Sequence, residues 1–186
     1  MSAGSSRKSG WSLVAIAAVF ALTACGGGGG GGPTSPPPPT PQIIFSPAGT
    51  NPMNAVSLQE GVGTDANNLF LDVRATSVQE LYGLSFDLKV PTLLRFTGRT
   101  QGTFLSAGGV QTAFQVTENP PGNLVVGLTR LGGTEGVDGS GVLMTLQFSA
   151  STAGTGAFEF ANSTAVDPTG QRLTTSFLAG SVQVVR

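Results

Sequence analysis

LYGLSFDLKV, residues 81–90, is the stretch whose reading decides the fold. Leu84, Phe86, Leu88 and Val90 fall on one side of an extended chain, and Ser85, Asp87 and Lys89 on the other. Successive side chains of a strand point to opposite faces. This period of two therefore predicts a half-buried β-strand whose apolar face needs a second sheet over it. Pro91 ends the strand, because proline cannot donate to a ladder.

Similar patterns extend on both sides of that strand. Val56–Leu58 is a short candidate. Leu69–Ala75 alternates Leu69, Leu71, Val73 and Ala75 against Phe70, Asp72 and Arg74, and Leu94 and Phe96 are in phase within Leu93–Thr97. Val110–Thr117 sets Phe114 and Val116 against Gln115 and Thr117, whereas Leu124–Arg130 begins apolar on both sides, as a central strand does. Val142–Ala150 puts Val142, Met144, Leu146, Phe148 and Ala150 inward; Phe158 and Phe160 flank Glu159; and Gly180–Val185 closes the set. Asn119–Asn123 and Asp167–Gly170 read as turns, and Gly132–Gly141 as the longest loop. No segment has sustained helical periodicity. Breakers at this spacing predict an all-β chain of about eight or nine strands in two packed antiparallel sheets, a β-sandwich.

The N-terminal segment has a different composition. Arg7 and Lys8 precede an uncharged apolar run, Trp11–Ala24, which is shorter than the roughly 20 residues a membrane span needs. Its layout is that of a secretory signal, residues 1–24. It closes on Leu22-Thr23-Ala24-Cys25, which resembles the lipobox of bacterial lipoproteins, in which the cysteine is acylated and becomes the mature N-terminus. Cys25 is the only cysteine, so no intramolecular disulfide is available. Gly26–Gly32 and the proline-rich stretch to Pro41 complete a 25–41 linker with the composition of a tether. The glycines lack the Lys-Ser/Thr and the strand–helix context of a phosphate loop. The folded domain is then 42–186, large enough for a two-layer core.

Composition narrows the chemistry. The chain has no histidine, which removes Ser-His and Cys-His nucleophile pairs and imidazole metal ligands. After the signal, Arg74, Lys89, Arg95, Arg99, Arg130, Arg172 and Arg186 face ten acidic residues, a balance that argues against nucleic acid. The spacing of Asp72, Asp87, Glu135, Asp138 and Glu159 proposes no carboxylate pair for glycoside hydrolysis. Glu135 and Asp138 are too few acids for a calcium loop of the EF-hand kind. The sequence therefore predicts no enzyme, no metal and no cofactor. The one tryptophan lies in the signal and the one tyrosine is Tyr82, which disfavours a flat aromatic platform for polysaccharide.

The run from Leu81 to Phe96, LYGLSFDLKVPTLLRF, resembles the cohesin segment Gly/Leu-x-Gly-φ-x-Phe-x-Leu-x-Tyr-Asp/Asn-Pro-x-x-Leu-x-φ, where φ is apolar. Further elements follow in the family's order. They are Gly98–Leu105, NLVVGLTR at 123–130, SGVLMTLQFSA at 140–150, the Gly154…Phe158-x-Phe160 strand, the Asp167–Gly170 turn and GSVQVV at 180–185. The resemblance spans nearly all of 56–185 and implies a nine-stranded jelly-roll sandwich, a fold shared with some carbohydrate-binding modules. It departs at Val90, where the family usually has tyrosine, and Pro91 follows without the preceding acid.

The resemblance also implies a dockerin-type protein partner docked on one sheet face. Carried over by position, that face comprises Gly83, Ser85 and Asp87, then Gln115, Thr117 and Asn119, then Val126 and Leu128. Gly83 and Ser85 stand where several cohesins have Asn and Asp, so the partner is read differently here. The expected contacts are Ser85, Asp87, Gln115 and Thr117, with Leu128 as the apolar anchor. The expected function is a lipid-anchored, non-catalytic binding module in the bacterial envelope, at the outer membrane. The alternatives are a carbohydrate-binding module serving polysaccharide binding or breakdown, and a structural envelope component. Two acyl chains on Cys25 would make attachment stable where one is marginal. Cys25→Ser should move the protein from the membrane to the soluble fraction, and equal fractionation of variant and parent would remove the lipidation reading.

Overall fold

The computed structural model describes residues 40–50 and 52–186. The signal-like segment, Cys25 and the linker as far as Pro39 lie outside the described residues. One sheet has the order β10 (Glu159–Val166), β4 (Gly83–Lys89), β7 (Asn123–Arg130), β6 (Thr112–Glu118). A second has the order β11 (Ser176–Leu178), β2 (Ala55–Glu60), β3 (Asn68–Leu81), β8 (Val137–Ala150), β5 (Leu94–Gln101). A third, smaller one runs β1 (Gln42–Pro47), β12 (Gly180–Val185), β9 (Gly154–Ala157). Only Ala179 separates β11 from β12, so the small sheet continues the edge of the five-stranded one and the whole is a two-layer sandwich. All pairings are antiparallel except β11 with β2.

The inner faces meet in one apolar core. From β4 come Leu84, Phe86 and Leu88; β7 adds Leu124, Val126 and Leu128; Leu71, Val73, Leu146 and Phe148 face them from β3 and β8. Phe86 lies edge-on to Phe160 with ring centroids 5.0 Å apart, and Phe148 lies similarly against Phe158 at 5.5 Å. These are favoured geometries for aromatic pairs. On one side of the sandwich, the edge strands β5 and β6 are linked across the layers. The Arg99 guanidinium sits 5.9 Å above the Phe114 ring, and Gln101 Nε2 donates to Thr112 Oγ1 at 2.5 Å.

The alternation read in residues 81–90 holds, with Leu84, Phe86 and Leu88 buried and Ser85 and Lys89 exposed. Five features differ from the sequence reading, the first being that Phe158 lies between β9 and β10, which belong to different sheets, instead of within one short strand with Phe160. Leu81 ends β3 rather than beginning the central strand, and Tyr82 separates the two. The strand β8 starts at Val137, inside the expected 132–141 loop, because it pairs with a continuation of β3 through Val78 and Leu81. β1 and β11 form where no strand was expected. The last difference bears on function: Leu128 and Val126 point into the core, each 1% exposed. The register explains it, since Leu128 pairs with Leu84 and Val126 with Phe86, and directly paired residues share a face.

Phe86→Ala should cost about 3–5 kcal/mol, and Ser85→Ala at most about 0.5 kcal/mol, in denaturant unfolding. Leu128→Glu should prevent folding, since it buries an unpaired carboxylate. A folded Leu128→Glu variant with a native melting curve would contradict the β7 phase.

Candidate functional site

The inward phase of β4 and β7 fixes what lies on the opposite, outer face of their sheet. Register places three rows across it: Ala161, Asp87, Val125, Thr117; then Thr164, Ser85, Gly127, Gln115; then Val166, Gly83, Thr129, Ala113. Ser85, Asp87, Gln115 and Thr117 are thus brought together on one surface, and Leu128 is not. Its place as the apolar member falls to Val125, which is 44% exposed. The sequence hid Val125 and Gly127, because Leu124 to Leu128 reads as nearly continuous apolar residues and only pairing to β4 sets its phase. Gly83 belongs to this face but is covered by Thr129, whose Oγ1 lies 2.8 Å from where a Cβ would stand.

Electrostatically, the face divides in two. On the β4/β10 half, Lys89 Nζ pairs with Glu159 Oε2 at 2.9 Å, and Asn162 Nδ2 donates to Asp87 Oδ2 at 2.6 Å. The ion pair is mostly solvated, so it contributes little to stability. The β6/β7 half presents Ala113, Gln115, Thr117, Val125, Gly127 and Thr129, with no ionisable group. Glu118, at the end of β6, accepts from the Gly122 amide at 2.8 Å and closes the turn there. Because Gly127 has no side chain, a shallow depression of about 420 Å³ opens between Ser85, Gln115, Thr117 and Val125. A Cβ at position 127 would meet nothing within 4 Å.

Elsewhere several acids serve the backbone. Asp138 Oδ1 accepts from the Glu80 amide at 2.7 Å and Glu80 Oε2 from the Gly136 amide at 3.3 Å, which ties the start of β8 to the end of β3. The Thr169 hydroxyl, with the amides of Gln171, Thr169 and Gly170, holds the Asp167 carboxyl below its usual range. Asp65 is lowered in the same way by the Asn67 amide and by the side chain and amide of Asn68. Among the described residues, no three His, Cys, Asp or Glu side chains gather as a metal-binding group. The large apolar side chains that are exposed there are Ile44, Met53, Val62, Val125 and Leu131, none of them aromatic.

No family model matches the sequence, and no curated protein matches it. Solved structures do match the fold. One is a non-cellulosomal cohesin from the hyperthermophilic archaeon Archaeoglobus fulgidus, at 15% identity and a TM-score of 0.51, over 75% of this chain and 88% of that one. Another is the second type II cohesin module of the adaptor scaffoldin ScaA of Acetivibrio cellulolyticus, at 12% identity and a TM-score of 0.55, over 68% and 87%. A third is the sixth cohesin of scaffoldin B from Acetivibrio cellulolyticus, solved in complex with a Cel5 dockerin variant, at 18% identity and a TM-score of 0.53, over 74% and 96%. The two-layer β-sandwich that begins at Gln42 is therefore a cohesin-like domain in its fold.

Proposed function

We propose that this protein is a non-catalytic binding module that captures a protein partner on the outer face of the β10-β4-β7-β6 sheet. The partner is of the dockerin kind, and Cys25 anchors the module to the outer membrane through lipid. One observation carries the reading: half of that face is uncharged and carries an exposed Val125 beside a depression at Gly127. Such a surface suits the dehydrated centre of a protein interface, where charged residues are depleted. The Lys89–Glu159 pair and Asp87 then lie at its rim. The dockerin complex of a structurally similar cohesin supports a protein ligand. The absence of an aromatic ring among the exposed large side chains of the described residues favours protein over polysaccharide.

Gly127→Lys fills the depression and places a charge in it, and Val125→Glu places one beside it. Both positions face solvent, so the melting temperature should stay close to that of the parent. Binding of a partner recovered by pull-down should weaken by about 2 kcal/mol or more in each, the size of a hot-spot loss. Parent affinity should change little between low and high salt, since exposed charge pairs are what salt screens. Full affinity in both folded variants would take the site off this face.

A further inference from the structure

The two larger sheets end in four edge strands, and three of them carry features that discourage pairing with another chain. On β10 the register is broken between Ala161 and Thr164, with Asn162 held at φ 48°. On β5 it is broken between Phe96 and Gly98, and the strand bears Arg95 and Arg99. β11 is three residues long. Bulges, charges and short length are the usual protections of an exposed edge. β6 has no bulge, is not short and carries no basic residue. Its seven residues, TAFQVTE, pair with β7 in unbroken register, contain no proline and carry one charge, Glu118, at the end. Among the described residues, no backbone hydrogen bond reaches Thr112–Glu118 from any strand but β7.

We propose that β6 is a self-pairing edge, along which a second copy of this chain adds antiparallel about a twofold axis at Gln115. This goes beyond the capture of a partner on the sheet face and does not depend on it. The side chains suit this register. Gln115 meets Gln115 of the other copy, and an amide is both donor and acceptor. Phe114 meets Val116 on the inner side, Ala113 meets Thr117 on the outer side, and Thr112 meets Glu118. Within the paired strands no like charges oppose one another, and the two large apolar residues, Phe114 and Val116, meet each other, with each copy's Arg99 guanidinium over its own Phe114. The product is an eight-stranded sheet with the two uncharged half-faces adjacent on the same side.

Sedimentation of the full chain in mild detergent tests this through Gln115, an exposed residue whose substitution leaves the core untouched. The parent should dimerise in a concentration-dependent way. Gln115→Lys and Gln115→Glu each set like charges in opposition at the axis and should weaken dimerisation at least about tenfold. An equal mixture of the two should restore it, because the heterodimer pairs opposite charges. A parent that is monomeric at every concentration overturns the proposal and leaves the edge to an extended segment of some other protein. Dimers unaffected by both variants, or a mixture no tighter than its components, overturn it equally, since either outcome places the contact elsewhere.

Discussion

The contact between the inner faces of the two layers, centred on Phe86 and Phe148, is the interaction on which the rest of the structure depends. A four-stranded antiparallel sheet cannot hide both of its faces in a domain of this size, so burying one commits the other to water. Once Leu84, Phe86 and Leu88 are committed to the core, register does the rest. Leu124, Val126 and Leu128 must follow them, as must Val116. Everything on the outer face is then fixed without any interaction of its own. The aromatic rings fasten the margins of this contact, Phe160 and Phe177 on the β10/β11 side and Phe45 and Phe158 beneath the small sheet.

How far the sequence could be read follows from the same constraint. β4 was legible because its alternation has one interpretation, and so were β6 and the second half of β8. β7 was legible as a strand but not in phase. In Leu124-Val125-Val126-Gly127-Leu128 both phases offer apolar residues, and the pairing partner that chooses between them lies about forty residues away. The glycine-rich 132–141 segment misled for a different reason. Gly136 and Gly141 are there for close approach rather than for a loop: a Cβ on Gly136 would fall 2.2 Å from the Glu80 carbonyl carbon, and one on Gly141 would fall 2.6 Å from the Phe104 ring. β11 has too few residues for a period, and only its partner makes it a strand, whereas β1 carries the alternation in Ile43 and Phe45 but runs straight out of the proline-rich stretch.

Two polar side chains in the core show where packing gives way to other demands. Ser57, 2% exposed, and Arg130, 8% exposed, each leave an atom without a partner, Oγ and Nε respectively. Arg130 has no carboxylate within reach and instead donates through Nη1 to the carbonyl of Leu105 at 2.8 Å. A buried guanidinium costs free energy unless hydrogen bonds compensate. Here Nη1 also reaches the Ala107 carbonyl at 3.5 Å, so both bonds go to the 102–109 connection. Arg130 is also the last residue of β7, and the next amide, that of Leu131, donates to the Gln111 carbonyl at 2.7 Å. The same few residues therefore hold both the β5–β6 connection and the start of β6. The position of the β6 edge is set from the core rather than by the loop that precedes it.

The termini relate the face to the rest of the chain. The chain enters the sandwich at Gln42, which pairs with Val185, and the Arg186 guanidinium donates to the Ala150 carbonyl at 2.5 Å. Both ends of the domain therefore lie at the end that also carries the turns after β4, β6 and β8. The strands of the β10-β4-β7-β6 sheet run from this end to the opposite one, so its outer face is a flank of the domain. The entry point at Gln42 and the outer face are thus separate parts of the domain surface, a separation that follows from which strand face Phe86 occupies and from where β1 begins.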